Sequence, residues 1–416
     1  MKLILTFFLL LLLSISCKSQ CNSELKNYST AFKNIEAKSF SFLDNSLKDV
    51  QIVGYGEDTH GTAEFTILAG ELMKYLSEKH DFKLFILETG FGEGQYLNDY
   101  IQGKNDDLQF IMNERNQTWR YRTKEFYEVM NSLKEYNKNN DDKIYIYGCE
   151  MQYIHTDINR IKEYLIKVNS DYKIDGFKKP NLWMNFDENE KVDYYISYTK
   201  LKKYFIENYE NFKTKTSEKE FQIAYHQLEI IGQFVTSINQ SNLQRKHDFR
   251  EIFMLENIQW ILNYEKEDRK LFFWAQNDHI GNTIINGTSN SIGRLLKNGF
   301  GDHYFSIATD FGTGSFLAYP ANANETGNWR HQIFTVDKVM ENTFTNCLKK
   351  IGKPNTFLNI RKARSIDNLK LFFDKPLTQM SGAGAQIRHY KTETRYTGIE
   401  FDAIIYLDNT REITWK

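Results

Sequence analysis

The chain has 416 residues, 41% hydrophobic and 15% aromatic, which is enough for a sizeable packed core and excludes an intrinsically disordered protein. Its 53 basic and 54 acidic residues leave a formal charge of −1, so no overall field draws nucleic acid or an anionic membrane surface. The four cysteines, Cys17, Cys21, Cys149 and Cys347, are too few for a disulfide framework, and their spacing fixes no pairing.

Lys2, the apolar run at 3–13 and Ser14-Ile15-Ser16-Cys17 predict a secretory signal within residues 1–20, too short for a membrane-spanning helix. Two outcomes of processing are open. Cys17 can become the acylated first residue of a lipoprotein, or cleavage near Ser19-Gln20 can leave a soluble periplasmic or secreted protein. The expectation is export, with membrane contact only through a lipid at Cys17.

Residues 50–55 read as a short buried strand that ends in Gly56-Glu57-Asp58-Thr59-His60-Gly61, with a helix following to about His80. Three more apolar runs, 83–87, 143–147 and 271–274, end in Glu88-Thr89-Gly90, Gly148-Cys149-Glu150 and Ala275-Gln276-Asn277-Asp278-His279. Short apolar strands alternating with helices predict an α/β fold, a mostly parallel sheet covered by helices on both faces. Ligands in such sheets bind outside the carboxyl ends of the strands, where Glu57, His60, Glu88, Glu150 and His279 would gather.

Between about 154 and 264 the pattern becomes long, charged and aromatic-rich, as in 218–238, and predicts a helical insertion or cap. The expected organisation is an α/β core at 21–153 and 245–416, interrupted by a cap at 154–244. A helix over 285–298 and strands over 304–309, 314–318 and 398–407 complete the core, the last closing the sheet. The glycine-rich Ser381-Gly382-Ala383-Gly384-Ala385 lacks the Lys-Ser/Thr of a phosphate loop and supports no nucleotide site.

Gly56-Glu57-Asp58-Thr59-His60-Gly61-Thr62-Ala63-Glu64-Phe65 carries the most chemistry. Glycines let the backbone turn sharply off the strand, and a neutral imidazole held there can take a proton from water if a carboxylate fixes its tautomer. Glu57, Glu64 or Glu88 could each orient His60. Read alone, the motif is also what an ordinary helix start gives, with Thr59 as cap, but the other strand ends carry similar residues. Glu88, at the end of a buried strand, needs a role or a partner such as a buried Arg.

In order along the chain, the Gly56–Phe65 motif, Glu88-Thr89-Gly90-Phe91, the helix Arg250-Glu251-Ile252-Phe253-Met254-Leu255-Glu256-Asn257 and Trp274-Ala275-Gln276-Asn277-Asp278-His279 resemble the erythromycin esterase family. The similarity runs from about residue 51 to the C-terminus. It implies a metal-independent esterase that needs no cofactor and takes a small-molecule ester as its partner. His60 would be the general base, Glu57, Glu88 and Glu64 the carboxylates, His279 a second imidazole for oxyanion stabilisation or leaving-group protonation, and Arg250 an active-site cation. Trp274, Gln276 and Asn277 would bind substrate. Two positions depart from the family: Gln276 replaces a His that titrates, and Ala69 replaces an Arg, which weighs against efficient opening of a macrolide lactone.

Two other readings remain in play. Tiki-type metallopeptidases hold a divalent metal with similar residues, and here Glu57, His60, Glu88 and His279 would be the ligands. A haem- or ligand-binding lipoprotein would fit the signal but wants an exposed axial ligand and an apolar cleft; aromatics of the insertion such as Trp183, Tyr194, Tyr195 and Tyr198 could line a substrate cleft or be ordinary core packing. A serine nucleophile has no Gly-x-Ser-x-Gly elbow, and Cys149, with no basic neighbour in sequence, reads as a buried thiol.

Overall fold

The computed structural model describes residues 21, 23–115, 118–177, 186–265, 268–285, 288–327, 329–374, 376–379, 384–387, 394–397 and 400–416. The signal with Cys17, Trp183 and residues 381–383 of the glycine-rich stretch lie outside them. Among the described residues nine strands make one sheet: β1 (Ser29–Phe32), β2 (Ile52–Glu57), β3 (Phe82–Gly90), β4 (Tyr145–Glu150), β5 (Lys270–Gln276), β6 (Tyr304–Ala318), β7 (Gln332–Val336), β8 (Asn355–Asn359) and β9 (Ala403–Thr410). Their order is β1-β8-β9-β6-β2-β5-β3-β4, with β7 added to β6.

The pairings from β9 through β6, β2, β5 and β3 to β4 are parallel, whereas β1 on β8, β8 on β9 and β7 on β6 are antiparallel. Every residue of β2 and β3 is buried, because a parallel sheet is covered on both faces and selects continuous apolar runs. Alternation still sorts the side chains. Leu84, Ile86, Leu271 and Phe273 join one core, while Phe85, Leu87, Phe272 and Trp274 join the other.

Helices α1 (Ala63–His80), α2 (Phe91–Ile101), α3 (Lys124–Asn139), α4 (His155–Lys167), α5 (Glu188–Glu207), α6 (Glu218–Ile238), α7 (Leu243–Glu265) and α8 (Ile292–Phe300) are the longer ones described. The faces of α1 and α3 fill the core that holds Phe85, and those of α4, α6, α7 and α8 fill the core that holds Leu84. Helix α6 covers the predicted 218–238: Ser217 accepts from the Glu220 amide at 3.1 Å as its cap, and Phe221, Ala224, Leu228, Ile231 and Val235 repeat on its buried face. Tyr194 is buried against Phe234, while Tyr195 is 58% exposed.

Three expectations need correction. Residues 304–309 and 314–318 form the single strand β6, because Gly314 (φ +133°), whose Cβ would lie 2.0 Å from the Thr410 carbonyl oxygen, carries the backbone past β9 without a break. The helix expected over 285–298 begins at Ile292 instead. Residues 284–285 pair with 289–290, and Ser291 caps the helix by accepting from the Arg294 amide at 3.0 Å. The last strand lies inside the sheet between β6 and β8 rather than closing it, and β1, β7 and β8 carry no periodicity that announced them. A disulfide joins Cys21 to Cys347, and Cys149 is a buried free thiol.

Candidate active site

Parallel register aligns the strand ends: Glu57 is opposite Gln276, Leu87 opposite both Trp274 and Gly148, and Glu150 opposite Gly90. Four strands therefore deliver their terminal polar residues to one edge. The turn after β2 is pinned by backbone bonds, with the His60 amide donating to the Gly384 carbonyl at 3.0 Å and the Gly384 amide donating to the Asp58 carbonyl at 3.1 Å. Gly384 has φ +50°, and a Cβ on it would lie 2.3 Å from the Gln276 side-chain nitrogen, so a larger residue there would be strained and would displace Gln276.

His60 is 12% exposed and Glu57 1% exposed, and His60 Nδ1 is 2.5 Å from Glu57 Oε1. Arg120 Nη1 lies 2.6 Å from the same oxygen and 2.9 Å from His60 Nδ1. The other Glu57 oxygen, Oε2, accepts from the Trp274 indole N–H at 3.0 Å. A carboxylate can only accept, so the contact with Glu57 places the proton on Nδ1, Arg120 Nη1 donates to Glu57 rather than to the ring, and the ring presents Nε2 outward. His60 Nε2 has no hydrogen-bond partner among the described residues.

Glu88 links this group to a second one. Its Oε2 accepts from Arg120 Nη1 and Nη2, both at 3.3 Å, and from the Gln276 backbone N–H at 3.1 Å. Its Oε1 accepts from Arg250 Nη2 at 2.7 Å and lies 3.3 Å from His279 Nε2. Arg250 also pairs with Glu150 and reaches His279 Nε2 at 2.9 Å, while Glu251 faces His279 Nδ1 at 2.8 Å. Helix α7 supplies both Arg250 and Asn257, seven residues apart on one face, and Asn257 anchors the helix to the Cys149 carbonyl at 2.8 Å.

Electrostatics separates these groups. Burial alone would raise the Glu88 pKa, but His279, Arg120 and Arg250 hold it well below the usual carboxylate range. Burial would lower the His279 pKa, yet the Glu251 and Glu88 carboxylates carry it up to about 10. Its Nε2 lies between a donor, Arg250, and an acceptor, Glu88, and the carboxylates favour keeping the proton. Glu150 is raised by burial despite Arg250, and its Oε2 is buried without a hydrogen-bond partner among the described residues.

Sequence reasoning did not find Arg120, which stands on a single 3-10 turn, Trp119–Tyr121, away from any strand end. Its signal was indirect, since buried carboxylates require a cation nearby. Glu251 lay in the recognised helix motif but had no role there. Other candidates are placed elsewhere. Glu64 accepts from the Arg411 amide at 2.8 Å rather than touching His60, and burial raises its pKa. Asn277 is buried with its amide on both backbone atoms of Thr309, and Trp274 is buried behind Glu57, so both brace the site instead of lining it. Gln276 is partly exposed beside Gly384, and Ala69 is buried within α1. The Cys149 thiol is pushed well up by burial, which leaves little thiolate for nucleophilic attack.

No group of three or more His, Cys, Asp or Glu among the described residues is arranged to hold a metal ion. The set offered for a metal, Glu57, His60, Glu88 and His279, is interleaved with the guanidiniums of Arg120 and Arg250, which would repel a dication.

The erythromycin esterase family model matches residues 77–410. This chain belongs to the erythromycin esterase family. It is thus a hydrolase of that family. The erythromycin esterase type II of Escherichia coli is 23% identical over 374 residues, covering 80% of this chain and 87% of that protein. A solved Bacillus cereus protein shares the fold at a TM-score of 0.80 and 20% identity, over 96% of this chain and 100% of that one. A mutant of the erythromycin esterase EreC in its open conformation superposes at a TM-score of 0.66 and 16% identity, over 92% of this chain and 98% of that one. The family match begins after the Gly56–Phe65 turn, so the role of His60 is argued from its geometry.

Proposed function

We propose that this protein hydrolyses a carboxylic ester without a metal, with His60 as the general base. The observation that carries the reading is the His60–Glu57 contact at 2.5 Å, with Arg120 and Trp274 fixing the carboxylate and Nε2 left without a partner among the described residues. Nε2 takes a proton from water as the oxygen attacks the ester carbonyl, and Glu57 stabilises the imidazolium that forms. The tetrahedral oxyanion then collapses, the ester C–O bond breaks, and the leaving alkoxide takes the proton. The positive charge held at Arg250 and His279 stabilises the developing anion. Gln276 stands where the family has a titrating His, and Ala69 where it has an Arg, which supports a substrate other than a macrolide lactone.

Export is part of the reading. A disulfide such as Cys21–Cys347 persists in oxidising compartments, and it agrees with a secretory signal in residues 1–20. No helix among the described residues is long and apolar enough to cross a membrane. Direct attack by water leaves no acyl-enzyme. Rapid mixing with p-nitrophenyl acetate is therefore expected to release nitrophenol linearly, and a burst stoichiometric with enzyme would overturn the mechanism.

A further inference from the structure

An aromatic cluster begins at the proposed base. The Trp119 ring is 6.3 Å from the His60 ring, centroid to centroid, and 4.2 Å from His331. His331 stacks on Tyr319 at 3.9 Å, and Tyr319 meets Trp329 edge-on at 5.4 Å. Trp415 closes the group at 5.9 Å from Trp119 and 5.3 Å from His331. The five rings come from separated parts of the chain: the turn before α3, the residue after β6, the approach to β7 and the C-terminal segment. Yet they are contiguous with one another and with His60.

Two members are unusually exposed for their size, Trp329 at 53% and Trp415 at 47%. Half-exposed indoles within one ring cluster leave apolar area in water at a cost of roughly 25 cal/mol per Å², and beside a reactive group such a patch marks a binding surface. Some hydrogen-bonding groups around the rings are already used, whereas His331 Nε2 is buried with no hydrogen-bond partner among the described residues. The Gln386 amide is spent on the Pro320 and Ala321 carbonyls, Glu412 on Ser315, and Arg411 on Glu125. Burial lowers the His331 pKa to about 4, so that ring is neutral and the surface offers π-faces rather than charge. The stacked and edge-on faces that the cluster presents suit a flat aryl ring.

We propose that Trp119, Tyr319, Trp329, His331 and Trp415 form a platform for an aromatic ring of the substrate, so that the hydrolysed esters carry an aryl group in the acyl or alcohol part. This rests on the esterase reading for its chemistry, while the binding claim stands on the rings themselves. The test compares the full chain with its Trp329→Ala and Trp415→Ala variants, which alter exposed side chains. Two readouts are used: the ratio of kcat/KM for 2-naphthyl acetate over ethyl acetate, and the Kd of 2-naphthoate from quenching of tryptophan fluorescence. The ratio is expected to fall roughly tenfold in each variant, mainly through KM, with a similar rise in Kd.

An unchanged ratio and Kd, or inhibition by a methyl glycoside in place of 2-naphthoate, overturns the platform while ester turnover keeps the hydrolase reading. If the wild type cleaves no ester but binds 2-naphthoate through these tryptophans, the platform stands and the esterase reading fails.

Discussion

The two imidazoles of the site have opposite surroundings. His60 faces one carboxylate on Nδ1 and leaves Nε2 at a partly open surface, whereas His279 is buried with Glu251 on one nitrogen and Arg250 and Glu88 on the other. In the proposed mechanism the first takes a proton from water and passes it on. The second is built to keep one. The same residue type, at the ends of strands paired in the same sheet, is thus suited to different roles by what is packed around it.

Several substitutions would sharpen or break that contrast. The largest effect is expected at Glu57. Glu57→Gln keeps the shape but offers His60 Nδ1 an uncharged partner, and kcat of the folded variant is expected to fall about 10²–10⁴-fold. A loss under threefold would mean that Glu57 does not orient the base. Next comes Arg250→Met, which strands Glu88 and Glu150 in a buried setting. Unfolding by urea is expected to show destabilisation of about 3–5 kcal/mol, and a neutral result would show that these carboxylates reach water.

Third is pH. His279 titrates near 10 in the fold against an ordinary 6.5, so its contribution to stability is complete below about 6.5 and is lost as pH rises through 10. Glu88, held below its ordinary 4.5, contributes above that value and loses its contribution as pH falls beneath it. The melting temperature is expected to decline on the alkaline side, and the decline to flatten in His279→Gln. An equal slope in the variant would show that His279 is not the titrating group. The smallest effect is expected at Glu64, which faces Arg411. Glu64→Gln should alter kcat/KM less than about twofold, as an ordinary substitution outside the site would.

The sequence made the parallel core and its polar strand ends legible because β2, β3, β4 and β5 are short apolar runs that each stop at a carboxylate, amide or imidazole. The antiparallel additions were hidden. β1 and β8 are only four and five residues long, and β7 is largely exposed, so none shows a strong alternation. Glu57, Glu88, His60, His279 and Arg250 were recognisable, and the structure joins them in one network. Arg120 was not, because its side chain enters the site from an irregular turn and its partners are 63 and 32 residues away. The same limit applies to Glu64, Trp274 and Asn277: proximity in sequence to a reactive residue does not say which way a side chain points.

The central claim is that His60, rather than a bound metal, activates water. Its most direct test is turnover of a panel of p-nitrophenyl esters by wild type and His60→Ala, each before and after exhaustive treatment with chelator. The account predicts hydrolysis by wild type that survives chelation and disappears in His60→Ala with the fold intact. Activity that persists in His60→Ala, or wild-type activity that is stripped by chelator and restored by a divalent metal, would contradict it.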